Sequence, residues 1–135
     1  VFNIRDKFYE RGEEIVELIN KETKCKAYMY DLADKGKLKT EMQAADIFCD
    51  ATGVGMHPLE ELSNIPDGSF FKEDLIVTDT VYAPRETVMM KQAKESGVKR
   101  VYNGMGMMLF QALIAIKLYT GKDTDVAYMK EQLGI

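Results

Sequence analysis

The chain has 135 residues, 46% of them apolar and 30% charged, with a formal net charge of −4. Those proportions exclude a disordered segment, a collagen-like repeat and a disulfide-dense scaffold, and a domain of this size buries enough surface to need no covalent staple. A pI near 5.1 without a Lys/Arg stripe excludes nucleic acid as a partner.

In chain order, residues 1–3 read as the end of a buried strand, which places further sequence upstream of Val1. Asp6 can cap a helix running to about Lys21, whose apolar face is Phe8, Ile15, Leu18 and Ile19. A strand over 26–30 follows, then a turn over 31–37, a short helix over 38–45 and a buried strand over 46–51. Residues 53–67 are irregular, with two glycines, two prolines and a helical piece near 59–62. The strand 75–82, the helix 86–96 closed by Gly97, the strand 99–102 and two helices, 105–119 and 124–133, complete the chain.

Strands alternating with helices specify an α/β, doubly wound, mainly parallel sheet. The last two helices break the alternation and are expected to pack elsewhere than on the sheet. Residues 105–116 form the most apolar run, a buried helix too short to span a bilayer, which needs about 20 residues. No membrane role is expected. Cys25 and Cys49 read as reduced core residues of a cytoplasmic protein, and the single histidine, His57, as a surface residue in a turn before Pro58, with no metal site.

In parallel sheets, ligands bind beyond the carboxyl ends of the strands, so the residues after each strand are the candidates. Asp6 stands where a dinucleotide fold places a carboxylate to accept from the ribose hydroxyls, and it would repel a 2′-phosphate. Arg5 beside it could instead clamp that phosphate or stack on adenine. Read from spacing alone, Asp6 is equally a helix cap and Arg5 a solvated cation. Gly53-Val54-Gly55-Met56 and Asn103-Gly104-Met105-Gly106 bring bare backbone to the strand ends, the second at a helix N-terminus. Gln111 is the sole polar side chain between Met105 and Ile116. Buried there, it needs a partner, either a backbone carbonyl or a substrate hydroxyl or carboxylate.

Four motifs in one order carry a resemblance to the C-terminal part of the shikimate dehydrogenase family, nearest its quinate/shikimate dehydrogenase branch. Asn3-Ile4-Arg5-Asp6 resembles Asn-Arg-Arg-Asp, and Asp50-Ala51-Thr52-Gly53-Val54-Gly55-Met56 resembles Asn-Ala-Thr-Pro-Val-Gly-Met. Asp79-Thr80-Val81-Tyr82-Ala83-Pro84 with Thr87 resembles Asp-x-x-Tyr-Asn-Pro-x-x-Thr. Asn103-Gly104-Met105-Gly106-Met107 with Gln111 resembles Asn-Gly-Leu-x-Met and its downstream Gln.

The resemblance implies an NAD(P)-dependent oxidoreductase acting on shikimate/3-dehydroshikimate or quinate, on the route to aromatic amino acids. It implies that Asn3, Arg5 and Asp6 hold the adenosine end of the cofactor, with Thr52 also on the cofactor. Thr80, Val81 and Gly104 would line the nicotinamide, and Tyr82 and Gln111 would reach the substrate. Ile4 in place of an arginine, beside Asp6, favours NAD over NADP. Ala83 and Asp50 each replace an Asn, removing two amides that would support loops.

The family's catalytic Lys and Asp, its first strand and its Gly-rich phosphate turn all precede the position matching Val1. The expected organisation is therefore a Rossmann-like domain over 1–104 lacking its first strand, and helices 105–135 that belong with a substrate domain. The lane of the absent strand, between residues 1–3 and the strand at Asp46, is expected to be filled by another chain, closed in a non-family way or occupied by upstream sequence. The part alone is expected to be inactive, and to associate with itself or with the missing N-terminal half. Two other readings stand beside this one: a degenerate, non-catalytic binding module, and a methyltransferase using S-adenosylmethionine, which shares the acidic residue but gives no reason for Tyr82 and Gln111.

Overall fold

The computed structural model describes residues 1–135, which form two compact units, Val1–Ala44 and Ala45–Ile135. In the first unit, β1 (Phe2–Asn3), α1 (Tyr9–Glu22) and β2 (Tyr30–Asp31) make a βαβ unit, followed by α2 (Lys35–Ala44). β1 and β2 pair in parallel, Phe2 opposite Tyr30 and Asn3 opposite Asp31. Tyr9, Val16, Leu38 and Met42 are buried.

The second unit holds β3 (Ile47–Asp50), β4 (Ile76–Asp79), α3 (Val88–Glu95), β5 (Arg100–Tyr102), α4 (Met105–Thr120) and α5 (Val126–Leu133). Its sheet runs β3-β4-β5, all parallel, with Asp50 opposite Asp79 and Val77 opposite Val101. The central strand β4 alternates buried and half-buried positions, and Leu75, Val77, Met89, Ala93 and Val98 form the core over it. Thr87 caps α3 by accepting from the Met90 amide, and Gly97 at φ +91° closes it.

β1-β2 and β3-β4-β5 are separate sheets, with no strand joining them. β3 is an edge strand of its sheet, and β1 pairs on one side only. The α/β class and the parallel pairing agree with the sequence reading.

Several local expectations are corrected. Asp6 does not cap α1: Phe8 holds the cap position without a side-chain bond, and Asp6 Oδ1 instead accepts from the Phe8 amide at 2.8 Å in a tight turn. The second strand is only Tyr30–Asp31, because residues 26–29 lie outside any ladder. The helical piece of the long connection is a 3₁₀ turn at Gly68–Phe70, capped by Asp67, rather than near 59–62.

Neither cysteine is a core residue, since both are free thiols and exposed. On β3 the side chains alternate, so Cys49 shares the uncovered face with Ile47 while Asp50 points to the buried one. The run 105–116 is not a buried helix either. Only Met105 and Leu109 of α4 are buried, and Met107, Phe110, Ile114 and Leu118 are exposed, Leu118 to 79%. A helix that is apolar on every side needs neighbours on every side, and its unit supplies α5 and the sheet end on only part of it. No helix is long and apolar enough to cross a membrane. His57 is exposed and bonded to Glu60 at 2.9 Å, as the turn before Pro58 suggested.

Candidate functional site

In the first unit the residues after β1 and β2 converge on one polar cluster. Arg5 Nε donates to Asp31 Oδ2 at 2.9 Å, and its guanidinium lies 4.6 Å over the Tyr9 ring. Asn3 Oδ1 accepts from the Ile4 amide at 2.9 Å, and the Asn3 carbonyl accepts from Leu32 at 2.9 Å. Asp6 is exposed, and only its Oδ1 is engaged, by Phe8. Asn3, Arg5 and Asp6 thus stand together at the carboxyl end of β1, as the sequence placed them. Asp31, at the end of β2, was not anticipated in this cluster. It shares the turn-forming chemistry of its loop, accepting from the Ala33 amide at 2.8 Å, and nothing in its spacing announces an ion pair 26 residues back.

The second unit gathers the loops after β3, β4 and β5. At the end of β3, buried Asp50 accepts from the Thr52 amide at 2.9 Å through Oδ1 and from Asn64 Nδ2 at 3.0 Å through Oδ2. Asn64 Nδ2 also reaches Thr52 Oγ1 at 2.9 Å, and Thr52 Oγ1 accepts from the Val54 amide at 3.1 Å. The carboxylate at 50 therefore does support its loop, correcting the expectation that the support is lost with the amide. A carboxylate accepts everything an amide oxygen would, and Asn64 supplies the donor.

At the end of β4, Asp79 is 4% exposed. Its Oδ1 accepts from the Val81 amide and its Oδ2 from Thr87 Oγ1, both at 2.8 Å. Burial raises its carboxyl above the ordinary carboxylate value, the two hydrogen bonds pull it back down, and the neighbouring Asp50 charge raises it further. This one side chain fixes the start of the loop bearing Thr80, Val81 and Tyr82 against the N-terminus of α3. The motif Asp-x-x-Tyr was visible in the sequence, but not that its Asp and Thr form a buried pair.

The loops after β4 and β5 meet at Gly104. Its amide donates to the Val81 carbonyl at 2.9 Å, and a Cβ there would lie 2.0 Å from the Thr80 carbonyl oxygen and 2.7 Å from its carbon. Any side chain at 104 would collide with backbone, so glycine is a packing requirement. Gly55 plays a similar part after β3: it has φ +99°, and a Cβ would meet Thr87 Cγ2 at 2.8 Å. Thr80, Val81 and Gly104 are thus brought into one backbone wall. Val81 is buried, Thr80 half-buried and Tyr82 exposed.

Gln111 lies on α4 and is exposed, with its Nε2 donating to the Met108 carbonyl at 3.0 Å within the same helix. The premise that it is buried and must find a distant partner is corrected, because the face of α4 that carries it is uncovered. A cavity of about 690 Å³ opens among α3, β5, α4 and α5, lined by Asn103, Met105, Gly106 and Arg85 among others but not by Thr80, Val81 or Gly104. Gln111 and Tyr82 are not among its lining residues.

No protein-family model matches the chain. The chain is 47% identical over 133 residues to a shikimate dehydrogenase (NADP(+)) of Streptococcus uberis, matching 98% of this chain and 45% of that protein. Among solved structures, the shikimate 5-dehydrogenase of Listeria monocytogenes in complex with shikimate and NAD is 42% identical with a TM-score of 0.92, over 98% of this chain and 45% of that one. The quinate dehydrogenase of Corynebacterium glutamicum in complex with NAD is 29% identical with a TM-score of 0.77, over 94% and 44% of the two chains. The chain thus spans less than half the length of the relatives it matches. Along nearly its whole length, this chain is similar to the C-terminal, Rossmann-like part of shikimate dehydrogenases.

Proposed function

We propose that this chain is the cofactor-binding part of an NAD(P)-dependent dehydrogenase acting on shikimate/3-dehydroshikimate, with quinate as a second substrate. The observation that carries the proposal is the wall of Thr80, Val81 and Gly104, in which Gly104, two residues after β5, has no room for a side chain because backbone lies against it. A flat ring can lie on such a wall, in which Asp79 and Thr87 hold the loop after β4 and the Gly104 amide joins the loop after β5 to it. The Listeria relative's complex with shikimate and NAD supports the same reading.

The donor set fits the cofactor. Asp6 keeps an oxygen free to accept from ribose hydroxyls, Arg5 offers a planar cation beside an aromatic ring, and Asn3 fixes the chain just before them by accepting from the Ile4 amide. Thr52 presents a hydroxyl at the end of β3, anchored by Asn64. A dinucleotide held by these residues would supply a two-electron hydride acceptor for oxidation of a secondary alcohol to a ketone, with the hydroxyl proton left to a base. The chain's own residues orient that reaction: Thr80, Val81 and Gly104 set one face of the ring site, while exposed Tyr82 and the second amide hydrogen of exposed Gln111, whose first is held by the Met108 carbonyl, donate to substrate oxygens. None of them is assigned the proton transfer.

NAD is favoured over NADP. Arg5 is already paired with Asp31, and Asp6 adds an exposed carboxylate beside it, so the guanidinium is not free to clamp a 2′-phosphate and Asp6 repels one. We assign residues 1–104 to cofactor binding and the helices of 105–135 to the substrate side, with the exposed apolar side of α4 meeting an N-terminal half or a second copy. The test is to express the chain with all sequence its gene encodes before Val1 and to follow NADH and NADPH formation on shikimate and quinate. Turnover faster with NAD supports the proposal, and no turnover with any of the four pairs overturns it.

A further inference from the structure

One residue ties the loop after β4 to two other parts of its unit. Arg85 Nη1 donates to the Gly134 carbonyl at 2.8 Å and Nη2 to the Leu133 carbonyl, both at the end of α5. Its own carbonyl accepts from Asn103 Nδ2 at 2.8 Å. Asn103 Oδ1 in turn accepts from the Met105 amide at 3.1 Å, the first turn of α4, and the next residue, Gly104, donates to Val81. The path from the end of α5 to the wall at Gly104 therefore alternates hydrogen bonds with two covalent links, the Arg85 side chain and the Asn103-Gly104 peptide.

The chemistry of the clamp is directional. The last carbonyls of a helix lack intrahelical partners and carry the negative end of its dipole, so a guanidinium is the group that satisfies two of them at once. A lysine reaches as a point charge and cannot reproduce the fork. α5 has no buried residue of its own, so its seat depends on contacts such as this one. Arg85 is exposed, and its guanidinium is engaged at the end of α5 rather than by any of the residues assigned to cofactor and substrate.

We propose that Arg85 is a positioning residue: by clamping the end of α5 it holds Asn103, and through Asn103 it holds Gly104 and the backbone wall after β4 and β5 in register. The seating of α5 then sets the geometry of hydride transfer. The proposal rests on the reading of Val81 and Gly104 as nicotinamide-facing.

The experiment compares Arg85→Gln and Arg85→Lys with the unaltered chain, each expressed with its upstream sequence, by site-resolved amide exchange and steady-state kinetics. In Arg85→Gln the amides of Gly104 and Met105 exchange about tenfold faster or more while that of Val77, in the central strand, is unchanged, as local rather than global opening requires. The kcat on shikimate falls about fivefold or more with KM for the dinucleotide within a factor of about two, the signature of a misplaced reacting pair. Arg85→Lys recovers part of both effects. Faster exchange confined to α5, with Gly104 protection and kcat unchanged, overturns the proposal. If the unaltered chain has no turnover, the functional reading fails, and the exchange at Gly104 alone decides the clamp. Should Arg85→Gln not fold, Gly134→Val strains the left-handed cap at φ +66° and crowds Arg85 Nη2, 3.4 Å from that Cβ, so it gives the same readouts from the α5 side.

Discussion

Replacing Thr87 by valine removes a hydroxyl that serves two partners while leaving the side-chain volume almost unchanged. Thr87 is 1% exposed. Its Oγ1 accepts from the Met90 amide at 3.4 Å, a long bond, so the cap lost is worth about 1 kcal/mol or less. The same oxygen donates to Asp79 Oδ2 at 2.8 Å, and stripping a hydrogen bond from a buried carboxylate costs roughly 1.5–3 kcal/mol. The sum is a loss of about 2–4 kcal/mol. Thr87→Ser keeps both bonds and loses only the methyl packed against Gly55, on the order of 0.5–1.5 kcal/mol by analogy with other single-methyl deletions. Urea unfolding of the three proteins gives the comparison. Valine no more than about 0.5 kcal/mol below the unaltered chain, or serine as damaging as valine, would refute the assignment of Thr87 as the donor that keeps Asp79 in place.

Asp79 also sets a pH dependence of unusual sign. Its folded carboxyl binds a proton more tightly than in the unfolded chain, chiefly through burial, so its ionisation opposes folding above that raised value and the opposition is relieved as pH falls toward the ordinary carboxylate range. Between neutral pH and that range, the unaltered chain therefore gains stability relative to Asp79→Asn, measured as the difference in unfolding free energy; a difference independent of pH contradicts this. Gly104→Ala pushes a methyl into the Thr80 carbonyl and is expected to cost roughly 1–3 kcal/mol and to weaken dinucleotide binding, readable by thermal unfolding and calorimetry. Asp31→Ala releases the Arg5 guanidinium, so relative affinity shifts toward NADP by about two- to fivefold, the scale of one exposed ion pair, and titration with both cofactors reads it.

The sequence carried the parallel α/β class because Val, Ile and Phe runs at 47–48, 76–77 and 101 alternate with helical segments, and each strand end bears its own polar motif. What it concealed was burial and long-range pairing. α4 is apolar around its circumference, a pattern that reads as full burial, yet the unit covers only Met105 and Leu109, so Gln111 and its face stay exposed. Asp50 reads as a lost amide until Asn64, 14 residues on, is seen to donate to it. Arg85 carries no signal at all, because its partners lie 48 and 49 residues away and are carbonyls, which any residue type supplies.

Adding NAD, and separately ADP-ribose, to the isotopically labelled chain with its upstream sequence tests the nicotinamide wall most directly through the amide resonances of Val81 and Gly104. Both resonances shift with NAD and stay in place with ADP-ribose, which carries the adenosine end but no nicotinamide. Shifts of equal size with the two ligands, or none with NAD while the amides around Asp6 respond, would contradict the wall as the seat of the reacting ring.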